Sequence, residues 1–376
     1  MTILTDTQVA IRDVVRDFAQ DRVRPHSQHF ETAGSYPAGL FEEVAELGLM
    51  GMTAPDRFGG AAADYVSYAL ALIEIAAADG ALSTIISIQN SLIVSSLLKD
   101  GTAEQQARFL PDLIAGRMIG AFALTEADAG SDAAAMRCRA AKVEGGYRIN
   151  GAKQFITSAS IAGLAIVYAV TDPAAGKRGI SGFVVPTDRA GYLVDKVEHK
   201  MGQGASDTCA IRFENLFVED DLRLGAEGAG YGIALSNLEA GRIGIAAQSV
   251  GMAQAALAIA VEYAKDRKSF GQPIIQHQAV GFRLADLATR LEAARQLVLS
   301  AAALKDAGEP CLTQASMAKL FASETAEAVV SGAIQTLGGY GYLEEFGLAK
   351  IYRDVRVCQI YEGTSDIQRL VIARAL

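Results

Sequence analysis

The spacing of hydrophobic positions changes twice along the chain and predicts three parts. From residue 1 to about residue 118, apolar residues recur every three or four positions, as on the buried face of a helix. Residues 119–225 carry short apolar runs separated by Gly, Asp and Pro, which is typical of strands joined by turns. The helical period returns over residues 226–376 in long segments. We therefore expect an α+β fold, mostly α, with an N-terminal helical domain (1–118), a middle antiparallel β domain (119–225) and a C-terminal bundle of long helices (226–376).

One stretch of the third part, Ile243–Val261, carries no charge and has about the length of a bilayer span. It consists mainly of Ala and Gly, which insert into lipid less readily than Leu or Phe, and it includes Gln248, Ser249 and Gln254. We therefore expect a helix buried on all sides within the bundle and no membrane span.

The amino-acid composition indicates a packed globular protein and disfavours several kinds of partner. Hydrophobic residues make up 51% of the 376 residues and charged residues 20%, as in a packed globular protein. The net charge of −9 disfavours nucleic acid and anionic membranes as partners. The four Cys and four His show no metal-ligand spacing, so no metal site is expected. Scattered cysteines and an N-terminus without an apolar signal segment indicate a reducing, cytoplasmic location.

Two stretches of the β part have a local structural interpretation and a ligand-binding one. Phe122–Asp132 (FALTEADAGSD) predicts a strand that leads into a loop of small residues, which forms either a plain turn or a cradle for a ring edge or phosphate. The sequence of Gly151–Ala159 predicts a strand. The Phe155 and Thr157 side chains of this strand are either half-buried, as in an ordinary strand, or they cover a flat ring of a ligand. No Gly-x-Gly-x-x-Gly motif follows a strand, so a dinucleotide would not bind in the Rossmann manner.

The helical part offers similar alternatives. Arg242 begins the uncharged helix and either binds an anionic ligand or lies in solvent. Arg267 at the far end of that helix suits the helix C-terminus without any ligand. The glycines of Gln335–Gly347 permit close approach by a ligand or simply make a turn.

The stretch IYEGTSDIQRL, Ile360–Leu370, combines a helix start with an unexplained carboxylate. Ser365 with Gln368 three residues later predicts a capping box, and Asp366 suits the first helical turn. That interpretation leaves Glu362, just before the cap, without a role. Glu362 is therefore a candidate for a proton acceptor, although it is one of 43 acidic residues.

Taken together, seven stretches resemble the acyl-CoA dehydrogenase family, in the family's order. They are FALTEADAGSD, KQFIT, KMGQGASDT, GRIGIAAQSVG, RKSFGQPIIQHQAV, QTLGGYGY and IYEGTSDIQR. The resemblance implies an N-terminal helical domain, a middle β domain and a C-terminal four-helix bundle. It also implies FAD as cofactor, held between the β domain and the C-terminal helices without a Rossmann motif.

The resemblance also implies site residues. Glu362 would be the catalytic base. The residues implied to contact FAD are Phe122, Ala123, Leu124, Thr125, Ser131, Phe155, Ile156, Thr157, Thr364, Ser365 and Asp366. Those implied to reach the FAD of a neighbouring subunit are Arg267, Ser269, Phe270, Gln278, Gln335, Thr336, Leu337, Gly338 and Gly339. Those implied to bind the acyl-CoA are Ser131, Glu239, Arg242, Tyr361 and Gly363.

The implied reaction is α,β-dehydrogenation of a short or branched acyl-CoA, with transfer of electrons to an electron-transfer flavoprotein. A homotetramer, a dimer of dimers, is the expected assembly. Relatives that carry their base before the site arginine are excluded as a model, because that position is Gly241 here. The usual Trp of the flavin-flanking strand is Phe155, which suggests altered flavin exposure.

Three alternatives remain open at this point: an acyl-CoA oxidase that uses oxygen, a non-redox lyase that expels a β substituent, and a non-catalytic acyl-CoA-binding protein. The segment Ile86–Leu98 is expected to wall the acyl pocket. Its Gln89 and Asn90 would either admit a polar acyl group or cap neighbouring backbone.

Overall fold

The computed structural model describes residues 3–376, and its first third is helical. The α-helices of this part are α1 (Asp6–Phe18), α2 (Ser27–Ala33), α3 (Leu40–Glu46), α4 (Tyr65–Ala78), α5 (Gly80–Ile88), α6 (Ser95–Asp100) and α7 (Ala103–Ile114). Thr102 and Gln105 form a capping box at the start of α7, with reciprocal bonds of 3.2 and 3.1 Å between side chain and backbone. A π-helical turn, Gln89–Val94, joins α5 and α6 into one continuous helix.

The middle of the chain forms one eight-stranded sheet. Its strands are β1 (Gly120–Ala123), β2 (Arg139–Val143), β3 (Gly146–Thr157), β4 (Leu164–Val170), β5 (Ile180–Pro186), β6 (Tyr192–Val197), β7 (Thr208–Glu219) and β8 (Arg223–Leu224). The order is β6-β7-β3-β2-β4-β5-β8, and β1 pairs with β4. The fold class is confirmed, but the sheet is not purely antiparallel. β1 runs parallel to β4, and β2 is also parallel to β4 at the Arg139–Val170 pair, so β1, β2 and β4 share one direction while β3 runs against β2.

Long helices dominate the last part. They are α8 (Gly230–Asp266), α9 (Gln278–Asp306) and α10 (Leu312–Leu337), followed by the shorter α11 (Leu348–Arg356) and α12 (Ser365–Ala373). A two-stranded ribbon, β9 (Lys268–Ser269) and β10 (Gln272–Pro273), separates α8 from α9. Helix α8 packs against α10 and α9 and also against α4 of the first part.

Two helical segments, Gly80–Asp100 and Gly230–Asp266, are long and apolar enough to cross a membrane. Their most apolar windows are 89% and 78% buried inside the protein, so both are core helices of the fold. Small residues permit this packing. A Cβ at Gly251 of α8 would lie 2.1 Å from the Ile73 carbonyl oxygen of α4, so only glycine fits at that crossing.

The three parts of the sequence share two hydrophobic cores. One core combines the first helices with α8, α9 and α10, through residues such as Leu72, Ile243 and Val329. The other lies under the sheet and includes α7 and the end of the α5–α6 helix, for example Leu110 and Ile93. The loop after β1, the end of β3 and the turn before α12 come together in one cleft, which is the site described next.

Candidate active site

A cleft of about 600 Å³ opens between the sheet and the C-terminal helices. Its walls come from the loop after β1, the end of β3, the loop before β7, helix α11 and the turn before α12. Predicted site residues that line it are Thr125, Ser131, Phe155, Thr157, Tyr361, Glu362, Gly363 and Thr364. Residues more than 200 positions apart in sequence are therefore brought together in one cavity.

The turn before α12 does not have the cap that the sequence predicted. The N-cap is Thr364, whose Oγ1 accepts the Ile367 N–H at 3.3 Å, and Ser365 is the first helical residue. The Oγ of Ser365 is buried without a polar partner among residues 3–376. Gln368 reaches back along the chain, but to carbonyls: its Nε2 donates to the Glu362 oxygen at 3.1 Å and to the Gly363 oxygen at 2.8 Å.

Two consecutive left-handed residues form this turn. Glu362 has φ +55° and Gly363 has φ +89°. A non-glycine residue in this region costs on the order of 1 kcal/mol and persists only where its surroundings hold it. Besides Gln368, Lys319 of α10 donates from Nζ to the Gly363 oxygen at 2.7 Å, and the Tyr361 hydroxyl donates to Gln248 Oε1 at 2.6 Å. The turn is thus fixed from α12, α10 and α8.

The Glu362 side chain points toward α8 at a glycine. A Cβ at Gly241 would lie 2.6 Å from Glu362 Oε2, so any larger residue there would collide with the carboxylate. Oε2 is buried and has no hydrogen-bond partner in the part of the chain that the structure describes. Burial raises the pKa of Glu362 to about 7, and Arg242 and Lys319 offset part of that rise. A carboxylate with this pKa is able to accept a proton near neutral pH.

Arg242 lies on α8 next to Gly241 and is buried. Its Nη1 donates to Ser316 Oγ at 3.3 Å, while its Nε has no partner within the described residues. Burial lowers the pKa of Arg242, and the carboxylates of Glu362 and Glu239 offset this. The Glu239 carboxylate is bound elsewhere, 2.9 Å from Lys305 Nζ, and it does not line the cleft.

A buried lysine shapes the loop after β1. Lys153 Nζ donates to the Leu124 oxygen and to Glu126 Oε1, both at 2.9 Å. Glu126 in turn accepts the backbone N–H of Arg137 and of Cys138. This ion pair sets the course of the loop from Thr125 to Ser131.

The neighbouring predicted residues of β1 lie behind the cleft wall. Ala123 and Leu124 are buried in the sheet core. Phe122 packs on Tyr168, with ring centroids 5.1 Å apart. None of the three lines the cleft itself.

A bulge near the end of β3 presents an aromatic ring to the cleft. The pairing with β7 shifts between Lys153 and Ile156, and Phe155 has φ +60°. As a result Ile156 is buried, Thr157 lines the cleft and the Phe155 side chain is 63% exposed. An exposed ring beside hydroxyl groups is a surface on which a flat ligand can lie.

The residues predicted to reach a neighbouring subunit's cofactor lie at a second place. Arg267, Thr336, Leu337, Gly338 and Gly339 line a separate cavity of about 400 Å³ where α8 and α10 end. The others lie nearby in the chain but outside that lining: Ser269 and Phe270 in or beside the β9–β10 ribbon, Gln278 at the start of α9 and Gln335 at the end of α10. Phe270 is 96% exposed. Asp366, in the first turn of α12, also points to solvent.

Several residues at the site were not found from the sequence. Lys319, Gln248 and Gln203 fix the turn before α12, and Lys153 fixes the loop after β1. The one available signal was a single lysine among alanines and apolar residues in the helical segment around Lys319. Within residues 3–376, no group of three His, Cys, Asp or Glu side chains is placed to hold a metal ion.

Gln89 and Asn90, at the π-helical turn, both bond to backbone groups through their side-chain amides. The Gln89 amide bonds to the backbone of Leu113, Met118 and Gly120 at 2.8–3.0 Å. The Asn90 amide likewise bonds to three backbone groups. Both side chains cap backbone and are not available to an acyl group.

Three family models match nearly the whole chain. "Acyl-CoA dehydrogenase, N-terminal domain" matches residues 5–117, the middle domain matches 121–216 and the C-terminal domain matches 228–376. The chain belongs to the acyl-CoA dehydrogenase family. It is therefore an oxidoreductase enzyme of a flavin-dependent family that dehydrogenates acyl-CoA.

Individual acyl-CoA dehydrogenases and related proteins resemble the chain over its full length. It is 45% identical to an acyl-CoA dehydrogenase of Bacillus subtilis, over 99% of this chain and 98% of the relative. It is 42% identical to the caffeyl-CoA reductase-Etf complex subunit CarC of Acetobacterium woodii, over 97% of each. The solved butyryl-CoA dehydrogenase of Megasphaera elsdenii superimposes with a TM-score of 0.97 at 39% identity, covering 100% of this chain and 99% of that one.

Proposed function

We propose that the enzyme oxidises a short or branched acyl-CoA thioester to the 2-enoyl-CoA, with FAD as cofactor and Glu362 as the base. The observation that carries this proposal is the Glu362 carboxylate, which lies in the same cleft as the exposed Phe155 ring and whose Oε2 is buried without a hydrogen-bond partner among residues 3–376. An unpaired buried carboxylate is costly, and such groups concentrate at functional sites.

Proton removal at the α carbon needs a strong base and a stabilised product. The raised pKa of Glu362 supplies the first, and exclusion of water by the bound substrate would raise it further. The Glu362 backbone N–H has no acceptor within the described residues, so it is available to the thioester carbonyl oxygen. A hydrogen bond there would stabilise the negative charge that develops as the proton leaves.

The cleft residues fit a flavin. The exposed Phe155 ring offers a flat surface, and Thr125, Ser131 and Thr157 offer hydroxyls beside it. When bound, FAD supplies the two-electron acceptor for the hydrogen at the β carbon. The protein's own part is to orient the acyl chain, to hold Glu362 at the α carbon and to exclude water.

The proposed protein partners are supported by one named relative and by the second cavity, at Arg267. One relative is named as a subunit of an Etf complex, which supports an electron-transfer flavoprotein as the acceptor. The cavity at Arg267 and Gly338 lies outside the Glu362 cleft, which supports contact with a neighbouring subunit's FAD in a homotetramer. We place the enzyme in the cytoplasm, because all four cysteines are free and buried.

The proposed substrate preference is supported by two side chains that are not free to bind substrate. Gln89 and Asn90 bond to backbone groups, so neither is available to a polar acyl substituent. A plain short chain is further supported by the likeness to a butyryl-CoA dehydrogenase.

Glu362→Gln tests the proposal directly. The variant should keep yellow, FAD-bound protein but should not bleach when butyryl-CoA is added without oxygen. Glu344→Gln removes an exposed carboxylate outside the cleft and should bleach like the wild type. Bleaching of Glu362→Gln at the wild-type rate would show that another group is the base. Peroxide formation in air, or product formation without any acceptor, would indicate an oxidase or a lyase instead.

A further inference from the structure

Lys319 places an ammonium group in the protein core, where burial of a charge is energetically unfavourable. Its side chain is fully buried on α10, and its Nζ donates to the Gly363 oxygen at 2.7 Å. No carboxylate within residues 3–376 lies at salt-bridge distance from it. Burying an ammonium group with so little compensation is unfavourable, and neighbouring core positions such as Ala318 and Ala322 are apolar. The packing of α10 does not by itself call for a lysine.

The catalytic turn and its neighbours surround Lys319. The charged side chains that act on it are Glu362, Arg242 and Glu324, and the buried Cys358 thiol lies among them. Burial lowers the pKa of Lys319 to about 8, and the Glu362 carboxylate offsets part of this. The ammonium group therefore stays largely protonated at neutral pH, beside the base and bonded to the residue after it.

We propose that Lys319 is a positioning residue for Glu362: it holds the Gly363 carbonyl and supplies the positive charge that keeps the base ionised. The inference rests on the proposed function, because it gives Lys319 a role in the same proton transfer. Lys319 acts on the base through the turn and through space.

Lys319 is one of several charged and titratable groups that surround Glu362. Arg242 faces the carboxylate from α8, and Tyr68 faces it from α4. The cleft wall adds Glu126, Lys200, Arg353 and Arg356. Arg242 stays charged in any Lys319 variant, so loss of Lys319 removes one of two cations that lower the pKa of Glu362.

A purely structural role for Lys319 makes a different prediction. Gln368 Nε2 also donates to the Gly363 oxygen, at 2.8 Å, so this carbonyl keeps a partner when Lys319 is replaced. If Lys319 only tied α10 to the turn, its loss would lower stability without changing the pH at which Glu362 ionises.

Two substitutions separate charge from hydrogen bonding. Lys319→Met removes both, whereas Lys319→Gln keeps a donor and removes the charge. In both variants the acid limb of the anaerobic flavin-reduction rate should move to higher pH by about one unit, the effect of losing one nearby opposite charge. FAD content should be unchanged. Lys265→Gln, an exposed lysine on α8, should leave the profile unchanged.

A readout without substrate makes the test independent of catalysis. For each background, the stability of the protein with Glu362 is compared with that of its Glu362→Gln partner across pH. The difference between the two curves opens where the unfolded chain ionises and levels off where Glu362 ionises in the folded protein, so the pH at which it levels off reports the folded-state ionisation of Glu362. This plateau pH should rise by about one unit in the Lys319→Gln background. An unchanged plateau pH would overturn the inference. A shift together with normal bleaching in Glu362→Gln would retain the Lys319–Glu362 coupling and reject the proposed base.

Discussion

At the scale of single residues, the proposed base Glu362 and its neighbour Gly241 depend on each other for space. The Glu362 carboxylate occupies the space that a side chain at position 241 would need. A Cβ at Gly241 would lie 2.6 Å from Glu362 Oε2. The carboxylate sits on a left-handed turn near Arg242 and Lys319, and its Oε2 has no polar partner within residues 3–376. The same tightly packed, buried surroundings therefore raise the pKa of Glu362 and fix the orientation of its side chain.

Gly241→Ala should separate stability from activity. Alanine favours a helix by about 1 kcal/mol over glycine, so α8 loses no propensity, but the new methyl group displaces the carboxylate. Displacement of a reacting group by about 1 Å can reduce a rate on the order of a hundredfold. Stopped-flow flavin reduction should therefore slow at least about tenfold. Gly232→Ala, on the same helix with open space around it, should keep the wild-type rate.

Removing the Glu362 charge should stabilise the protein at high pH. Because the pKa of Glu362 is raised in the folded state, the native protein binds more protons than the unfolded chain between pH 4.5 and about 7, and stability falls across that range. Glu362→Gln should match the wild type near pH 4 and exceed it at pH 8 by roughly 3 kcal/mol. Urea unfolding at the two pH values measures this. Equal stability at pH 8 would show that the carboxylate is not destabilised by burial.

A buried ion-pair network ties several elements to the catalytic turn. Lys350 of α11 lies 2.7 Å from Asp354 and 3.3 Å from Asp79, the residue between α4 and α5. Burial alone would lower the pKa of Lys350, but the two carboxylates raise it. The Gln203 N–H donates to Asp354 at 2.5 Å, and the Gln203 amide continues to Tyr361, at 3.3 Å from its hydroxyl. Helical and sheet parts therefore meet at the residue before the base.

Lys350→Met should be severely destabilising. It leaves two carboxylates buried without their cation, which costs about 3–5 kcal/mol when one partner of a buried pair is removed. The midpoint of urea unfolding measures the loss. Lys142→Met breaks an exposed pair with Asp220 and should change stability by less than about 1 kcal/mol. Similar small losses in both variants would mean that the network contributes little.

Local signals in the sequence were sufficient for some elements and not for others. The long buried α8 follows from the uncharged, Ala- and Gly-rich composition of Ile243–Val261 alone. The start of α12 did not, because Thr364 and Ser365 are adjacent and equally good caps, and the course of the turn decides between them. Lys319 and Lys153 were missed because a single lysine is normally exposed, and only tertiary packing reveals their carbonyl partners.

At the scale of the whole molecule, the cleft that holds Glu362 lies between the sheet and the C-terminal helices, which belong to two hydrophobic cores. The first helices and α8–α10 share one core, and the sheet has the other. The exposed Phe270 and the cavity at Arg267 lie apart from this junction, as expected for a surface that contributes to a second subunit's cofactor site. The assembly would then complete what one chain provides only in part.

Arg267→Gln should weaken FAD binding without affecting the base. Loss of a guanidinium from an anion contact typically costs on the order of tenfold in affinity. FAD fluorescence on dilution measures the release. The pH dependence of flavin reduction, measured at saturating FAD, should stay as in the wild type. Lys268→Gln, the neighbouring exposed residue, should retain FAD normally; equal retention by both variants would remove Arg267 from the cofactor site.

The most direct test of the central claim follows the α proton itself. Anaerobic flavin reduction is measured with butyryl-CoA and with butyryl-CoA deuterated at the α carbon, between pH 6 and pH 9, for the wild type and Glu362→Gln. Our account predicts slower reduction of the wild type by the deuterated substrate, an acid limb near the pKa of about 7, and no reduction of the variant. An unchanged isotope effect and rate in Glu362→Gln would contradict the assignment of Glu362 as the base.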